Sequence, residues 1–513
     1  MDTVVVVLLS LPLFLLTLYL IFYYPSSRRR NLPPGPTVYP IIGNLTGLLF
    51  SMENAEFVIR KFKDKYSKIL TLHIGSQPMI IVSDRNLVHK CLIQHGSVFA
   101  SRPFVQANET DTNRLMKNEG YNVSTTVYGP IWRLLRRNLV SEILHPSRIK
   151  IYSDARSWVL SVVVDKIQKK SEGGSVVVVV KDVLHHAIFS LLVCMCFGVK
   201  FEGKLIRDIE AVQCELLLYM NKIQIFRIFP RIGPYLFRKR WKTMTDIRKR
   251  QTDIFRQFID LRRQKKNNNN KTSDCFDYCY FDSLLELKLA EENGRRLSED
   301  EIFGLCSEFL NGGTDTTSTT MEWVMANVVK NQDIQEKLLK EIRGVVSGDG
   351  AVEEEDLHKL IYLKAVIKEG LRRHPPGHFV LPHAVTEDVV VDGYLFPKDA
   401  SLNFMAADIG WDARLWKNPF EFKPERFLPG GEAEEVDITG SKDIKMMPFG
   451  AGRRICPALN LAMLHLEYFI ANLVSTFDWK QVDGEQIDLS EKPEFTIVMK
   501  TPLRCRVTLR QMG

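Results

Sequence analysis

The residues from Val4 to Tyr24 are apolar apart from Ser10, Thr17 and the tyrosine hydroxyls, and they carry no charge. At about 1.5 Å per residue this run reaches roughly 30 Å as a helix, enough to cross the hydrocarbon core of a bilayer. It lacks a basic region before it and a small-residue cleavage site after it, so the pattern predicts an uncleaved anchor, not a removed leader. Arg28, Arg29 and Arg30 follow directly, and Asp2 is the lone charge ahead of it. That asymmetry places the long C-terminal part on the cytosolic side, where the three sequons at Asn44, Asn108 and Asn122 go unused. Pro33-Pro34-Gly35-Pro36 then forms a stiff exit with no helical option.

Beyond the anchor, Ile69 to Ile74 and Met79 to Val82 read as β-strands around Gly75-Ser76-Gln77-Pro78. A second β pair is expected near the end, Phe495 to Met499 with Arg506 to Leu509, flanking Thr501-Pro502. Between them the periodicity is helical, with long segments over Glu301 to Asn331 and Leu357 to His374. The fold class is therefore mainly α (α+β), a large helical body with small peripheral sheets. Apolar runs around Leu191 and Ile470 look too short and interrupted for a second span. The organisation expected is an anchor over 1–27, a basic and Pro-rich hinge over 28–40 and a catalytic body over 41–513. Asn267 to Asn270 and Glu353 to Asp356 read as solvated loops. Phe226 to Trp241 mixes apolar rings with five cations, and a headgroup contact or an ordinary connector both fit it.

Composition narrows the classes. With 45% apolar and 25% charged residues in 513, the chain has material for a core and is neither disordered nor fibrous. Nine cysteines, an odd and low number, argue for reduced thiols over a disulfide framework. A net charge of +8 suits an anionic membrane surface or an acidic protein partner, and nothing requires nucleic acid.

The stretch that carries chemistry is Pro448-Phe449-Gly450-Ala451-Gly452-Arg453-Arg454-Ile455-Cys456-Pro457, a turn-rich loop running into a helical pattern from Leu459. A cysteine at a helix start, near Arg454 and unpaired backbone N–H groups, is favoured as thiolate, the form that ligates iron. Glu369 and Arg372 stand at i and i+3 ahead of His374-Pro375-Pro376, and Trp132 and Arg136 at i and i+4 after Pro130. In Phe309-Leu310-Asn311-Gly312-Gly313-Thr314-Asp315-Thr316-Thr317, two mid-helix glycines cost roughly 1 kcal/mol each relative to Ala. A local violation of this kind points to function. The missing side chains leave room for a small ligand, and a threonine hydroxyl can bond back to a helix carbonyl.

These elements, in this order, resemble the cytochrome P-450 superfamily. Phe449, Gly452, Arg454 and Cys456 match its Phe-x-x-Gly-x-Arg-x-Cys-x-Gly loop, while Ala458 stands where Gly is usual and would crowd the haem face or tilt the helix start. The resemblance implies haem b (iron protoporphyrin IX) with Cys456 as the axial metal ligand, and Trp132, Arg136, His383 and Arg454 as contacts to its propionates. It implies a structural network of Glu369, Arg372 and Arg426. It also implies a proton-delivery role for Thr316 with Asp315, and a substrate pocket near Phe104, Phe309, Gly312, Gly313, Phe379, Val380 and Ile497. The groove sequence and Met463 to Tyr468 are similar to the plant A-type clan, nearest its family eighty-nine.

The function implied is a single-pass endoplasmic reticulum monooxygenase with a cytosolic catalytic domain. It would insert one oxygen atom from O2 into a hydrophobic plant metabolite. Because the chain has no flavin module or phosphate-cradling glycine fingerprint, electrons would come from a separate protein, which the resemblance implies is NADPH–cytochrome P-450 reductase, with Arg133, Arg137 and Lys445 on the docking face. Other readings of the same residues are a haem-thiolate isomerase or dehydratase that does not use O2, or a tethered haem-binding protein without catalysis.

Overall fold

The computed structural model describes residues 10–18, 31–36, 52–66, 68–74, 77–103, 121–201, 203–220, 222, 226, 233–267, 276–346 and 351–510. Residues 10–18 are helical, and Leu11, Leu13, Phe14 and Leu16 are each at least half exposed there. The rest of the expected anchor, the triple arginine, Asn44, Asn108, Phe104, residues 227–232 and the Asn268–Asn270 run lie outside the described residues.

The chain divides into two compact units. In the first, spanning 1–104, 378–412 and 437–455, a sheet is built from β1 (Ile69–Ile74), β2 (Gln77–Val82), β3 (His383–Ala384) and β4 (Ser401–Phe404), in the order β1-β2-β4-β3. β2 starts at Gln77, two residues before the alternation suggests. Pro78 is accommodated because the parallel pairing with β4 begins only at Met79, beyond the position that lacks an N–H. Leu70, Leu72, Met79 and Ile81 then bury one face with Ile59 and Met405, and Phe62, Tyr66 and Phe379 pack against that cluster.

The second unit, spanning 105–377, 413–436 and 456–513, is mainly helical. Its principal helices are α1 (Pro130–Leu139), α2 (Ser153–Ser171), α3 (Val180–Phe197), α4 (Lys204–Met220), α5 (Arg238–Asn267), α6 (Glu299–Lys330), α7 (Gln332–Val345), α8 (Ile361–Arg373) and α9 (Leu459–Thr476). A capping box opens α6: the Ser298 hydroxyl takes the Glu301 N–H while the Glu301 carboxylate takes the Ser298 N–H. α3 is long and apolar enough to cross a membrane, yet most of it is buried, so it is a core helix.

The C-terminal strands pair differently from the expectation. Ile497–Met499 pairs with Glu491–Pro493, and Arg504–Leu509 pairs with Phe477–Gln481 and Val177–Val179. Thr501-Pro502 thus separates two sheets instead of turning one hairpin. The gain is burial: Cys505 and Val507 face inward with Phe477 and Trp479, all fully enclosed.

Candidate functional site

In the first unit, the segment from Phe99 to Arg102 lies against Leu381 to Ala384, joined by the Ala384 N–H to the Ser101 carbonyl at 2.9 Å. Three cationic or potentially cationic side chains converge on these backbones. His383 Nδ1 faces the Phe99 carbonyl at 2.6 Å and must be its donor. Arg454 Nε donates to the Ala100 carbonyl at 2.7 Å, and Arg102 donates to the carbonyls of Leu381 and Pro382 at 2.8 Å. Burial, reinforced by the charges of Arg102 and Arg454, pushes the His383 pKa down to about 3 against the hydrogen bond to Phe99. Arg102 was not anticipated; in sequence it is one arginine in Ser101-Arg102-Pro103, and only the long-range pairing of Ser101 with Ala384 gives it this setting.

The loop before the cysteine is fixed by close approach. Gly452 has φ +70, and an added Cβ would lie 2.1 Å from the Leu92 carbonyl oxygen, so no side chain fits there. Phe449 is half-buried beside the turn closed by the Gly450 N–H on the Met447 carbonyl. Val380 borders this turn, its Cγ1 4.0 Å from the site of a Gly450 Cβ.

In the second unit, Cys456 is half-buried just ahead of α9. Burial pushes its thiol pKa up, while the Ala458 N–H and Arg136 act in the opposite direction. The stabilising cation is therefore Arg136. Arg454, expected in that role, spends its Nε on Ala100. Ala458 has φ −98 and its carbonyl accepts the Ala462 N–H at 2.8 Å, so the helix starts without needing glycine and without a distorted first turn.

α1 presents Trp132 and Arg136 together, with the guanidinium 5.9 Å from the indole centroid. The indole N–H, expected to serve a propionate, donates instead to the Val123 carbonyl at 3.0 Å. The N–H groups of Val123 and Ser124 donate to the Glu308 carboxylate at 2.7 and 2.6 Å, tying this segment to α6. Arg133 and Arg137 lie exposed on α1.

The groove sequence stays helical throughout. Thr316 Oγ1 donates to the Gly312 carbonyl at 2.8 Å, within the helix. The two glycines do different work. Among the described residues, and apart from the helix's own backbone, nothing lies within 4 Å of a Cβ built on Gly312, whereas one on Gly313 would come 2.6 Å from Leu192 Cδ1 of α3. The room expected at both positions belongs to Gly312, and Gly313 lets α6 approach α3. Phe309 is buried with its ring 5.3 Å from Tyr280. Ile497 is held by its backbone, accepting from Trp323 Nε1 at 2.8 Å and donating to Pro376 at 2.9 Å. Phe379 belongs to the sheet cluster of the first unit.

Glu369, Arg372 and Arg426 meet in a fully enclosed network. Arg372 grips the Glu369 carboxylate with two bonds of 2.7 and 2.8 Å, and Arg426 Nε reaches it at 3.4 Å. The remaining guanidinium nitrogens bind the carbonyls of Pro419, Asn418 and Glu421, and Arg426 also pairs with Glu432.

A sequence model described as cytochrome P-450 matches residues 33–508. The chain belongs to the cytochrome P-450 family. Similar proteins include cytochrome P-450 89A9 of Arabidopsis thaliana, 42% identical over 99% of both chains. Others are the sarpagan bridge enzyme of Gelsemium sempervirens, 31% identical over 96% and 95%, and a flavonoid 3'-monooxygenase of Crocosmia x crocosmiiflora, 30% identical over 94% of each. As a P-450 the protein is a haem-thiolate oxygenase, its haem iron held by a cysteine. A cysteine whose anion is favoured by the Ala458 N–H and the Arg136 charge suits that iron.

Proposed function

We propose that this P-450 is an endoplasmic reticulum monooxygenase, anchored by its N-terminal helix with the catalytic body in the cytosol. It inserts one atom of O2 into a hydrophobic plant metabolite with electrons from NADPH through cytochrome P-450 reductase. Cys456 holds the iron, and Arg102, Arg136 and Arg454 receive the propionates, while His383, neutral and donating its Nδ1–H to Phe99, fixes the Phe99 backbone. When bound, cysteinate-ligated haem supplies the electron push that favours cleavage of the O–O bond. Gly312 leaves the open face of α6 for dioxygen, Thr316 keeps a hydroxyl beside it, and Asp315 is the acid that passes protons inward. The exposed apolar side chains of residues 10–18 support the anchor, and Arg133 and Arg137, exposed on α1, support an acidic docking partner.

One observation carries the assignment of the ligand: Cys456 stands just ahead of α9, where the Ala458 N–H and the charge of Arg136 favour its anion against the burial that raises its thiol pKa. Carbon monoxide added to reduced microsomes should give the red-shifted Soret band of thiolate-bound haem, and Cys456→Ala should abolish it. A band that survives in the variant removes Cys456 from its place.

A further inference from the structure

Asp315 does not stand alone on α6. His185, on α3, lies between two carboxylates: its Nδ1 is 2.8 Å from Glu210 Oε1 of α4, and its Nε2 is 3.8 Å from Asp315 Oδ1. Nε2 is equally 3.8 Å from Cys214 Sγ of α4. The second oxygen of Glu210 meets His186 Nδ1 at 2.6 Å. His186 in turn lines a cleft of about 200 Å³ with Trp158, Val162, Lys166, Phe201 and Arg207, room for several waters. A series of titratable groups thus runs from this cleft to Asp315.

We propose that His185 is the positioning residue and proton store of Asp315, replenished from the water of this cleft through His186 and Glu210. This rests on the reading that Asp315 serves the groove. The 3.8 Å gap exceeds a direct hydrogen bond, so transfer to Asp315 takes a small side-chain rotation or one bridging water. The balance is one proton in and one out. Asp315 gives its proton to the reduced oxygen and regains one from His185 Nε2–H. With Nε2 vacated, a flip of the neutral ring turns that nitrogen to Glu210, which delivers the replacement there, and His186 draws it from water. No electron moves along this path.

The surroundings fit a stored proton. Glu210, Asp315 and the Cys214 thiol face His185, with His186 beside it on α3, Lys166 of α2 near Glu210, and Arg207 of α4 near Lys166. Burial disfavours the imidazolium, but Asp315, Cys214 and Glu210 outweigh it and raise the His185 pKa. The same contacts draw Glu210 down to about 2 despite its own burial. A bundle of surface charges would have no such direction from outside to inside.

The test uses the full-length haem-loaded protein with reductase and NADPH, without added substrate, reading peroxide released per NADPH oxidised. His185→Gln, Glu210→Gln and His186→Gln should each raise that ratio at least twofold, as Asp315→Asn should, with the solvent isotope effect rising in the same variants. In ¹⁵N-histidine-labelled protein, the resonance of His185 should show both ring nitrogens protonated at pH 8 and begin to titrate in Glu210→Gln. If Asp315→Asn leaves the peroxide ratio unchanged, the reading of the groove fails. If Asp315→Asn alone raises it, or His185 is singly protonated at pH 8, the relay is overturned. Should His185→Gln not fold, the Glu210 and His186 variants decide on the same readouts.

Discussion

The two adjacent glycines of α6 allow a paired experiment in which one term cancels. Replacing either by Ala gains about 0.8–1.0 kcal/mol of helix propensity. At Gly312 no contact among the described residues opposes that gain, since outside the helix's own backbone none of their atoms lies within 4 Å of the new Cβ. At Gly313 the methyl would meet Leu192 Cδ1 at 2.6 Å, so the end of that buried side chain must shift. Overpacking of this kind costs about 1–3 kcal/mol. Gly312→Ala should therefore be stabilised by about 1 kcal/mol, and Gly313→Ala should be near neutral or destabilised by up to about 2 kcal/mol. Since propensity is common to both, the difference between them isolates the clash. Urea unfolding of the two purified variants, followed by tryptophan fluorescence, measures that difference directly. Gly312→Ala should nonetheless lose oxygenase turnover, its methyl intruding on the open face, while Gly313→Ala changes turnover less. Equal midpoints, or a more stable Gly313→Ala, would refute the assignment of the two helix faces.

Two further outcomes follow from buried charge. Glu369→Gln keeps the shape of the site but leaves the Arg372 and Arg426 guanidiniums without their shared carboxylate; breaking a buried pair this way costs about 3–5 kcal/mol, so the urea midpoint should fall steeply, and a loss under about 1 kcal/mol would show the network to be dispensable. His374 and His465 are held neutral mainly by burial, with pKa values drawn down to about 4 and about 3 from 6.5, and in neither does Nε2 have a hydrogen-bond partner among the described residues. Because the unfolded chain binds protons that the folded chain refuses, this stability is complete above about pH 6.5 and is lost as pH falls, on the order of 2 kcal/mol per histidine by pH 5. Urea midpoints between pH 7.5 and 5 should slope accordingly and flatten in His465→Gln; an unchanged slope would place the proton uptake elsewhere.

What the sequence reveals follows the reach of each interaction. Glu369 and Arg372 are one helical turn apart, so their pairing can be read from spacing, but their complete burial cannot: it depends on carbonyls of Pro419 and Glu421, about fifty positions on. The cysteine loop is legible because its glycines are local necessities, Gly452 above all. Arg102 and His185 escaped because neither has a local signature. Arg102 acquires its role when Ser101 pairs with Ala384, and His185 when α3, α4 and α6 meet.

The groove shows most clearly where a sequence pattern stops short of a function. Consecutive residues on an α-helix point about 100° apart, so Gly312 and Gly313 cannot open the same face, and composition alone does not say which one does. The answer comes from α3, whose Leu192 occupies the side toward Gly313. The same approach of α3 brings His185 toward Asp315, seven positions before Leu192 and so two turns along the same helix face. Small side chains at Gly313 and a carboxylate at Asp315 are thus parts of one contact between two helices. A methyl at Gly313 that pushes α3 away should lengthen the distance from His185 to Asp315 as well. Gly313→Ala should then raise peroxide release even though it leaves the open face untouched, and a variant that is destabilised yet fully retains the Asp315-dependent peroxide ratio would separate the packing from the proton path.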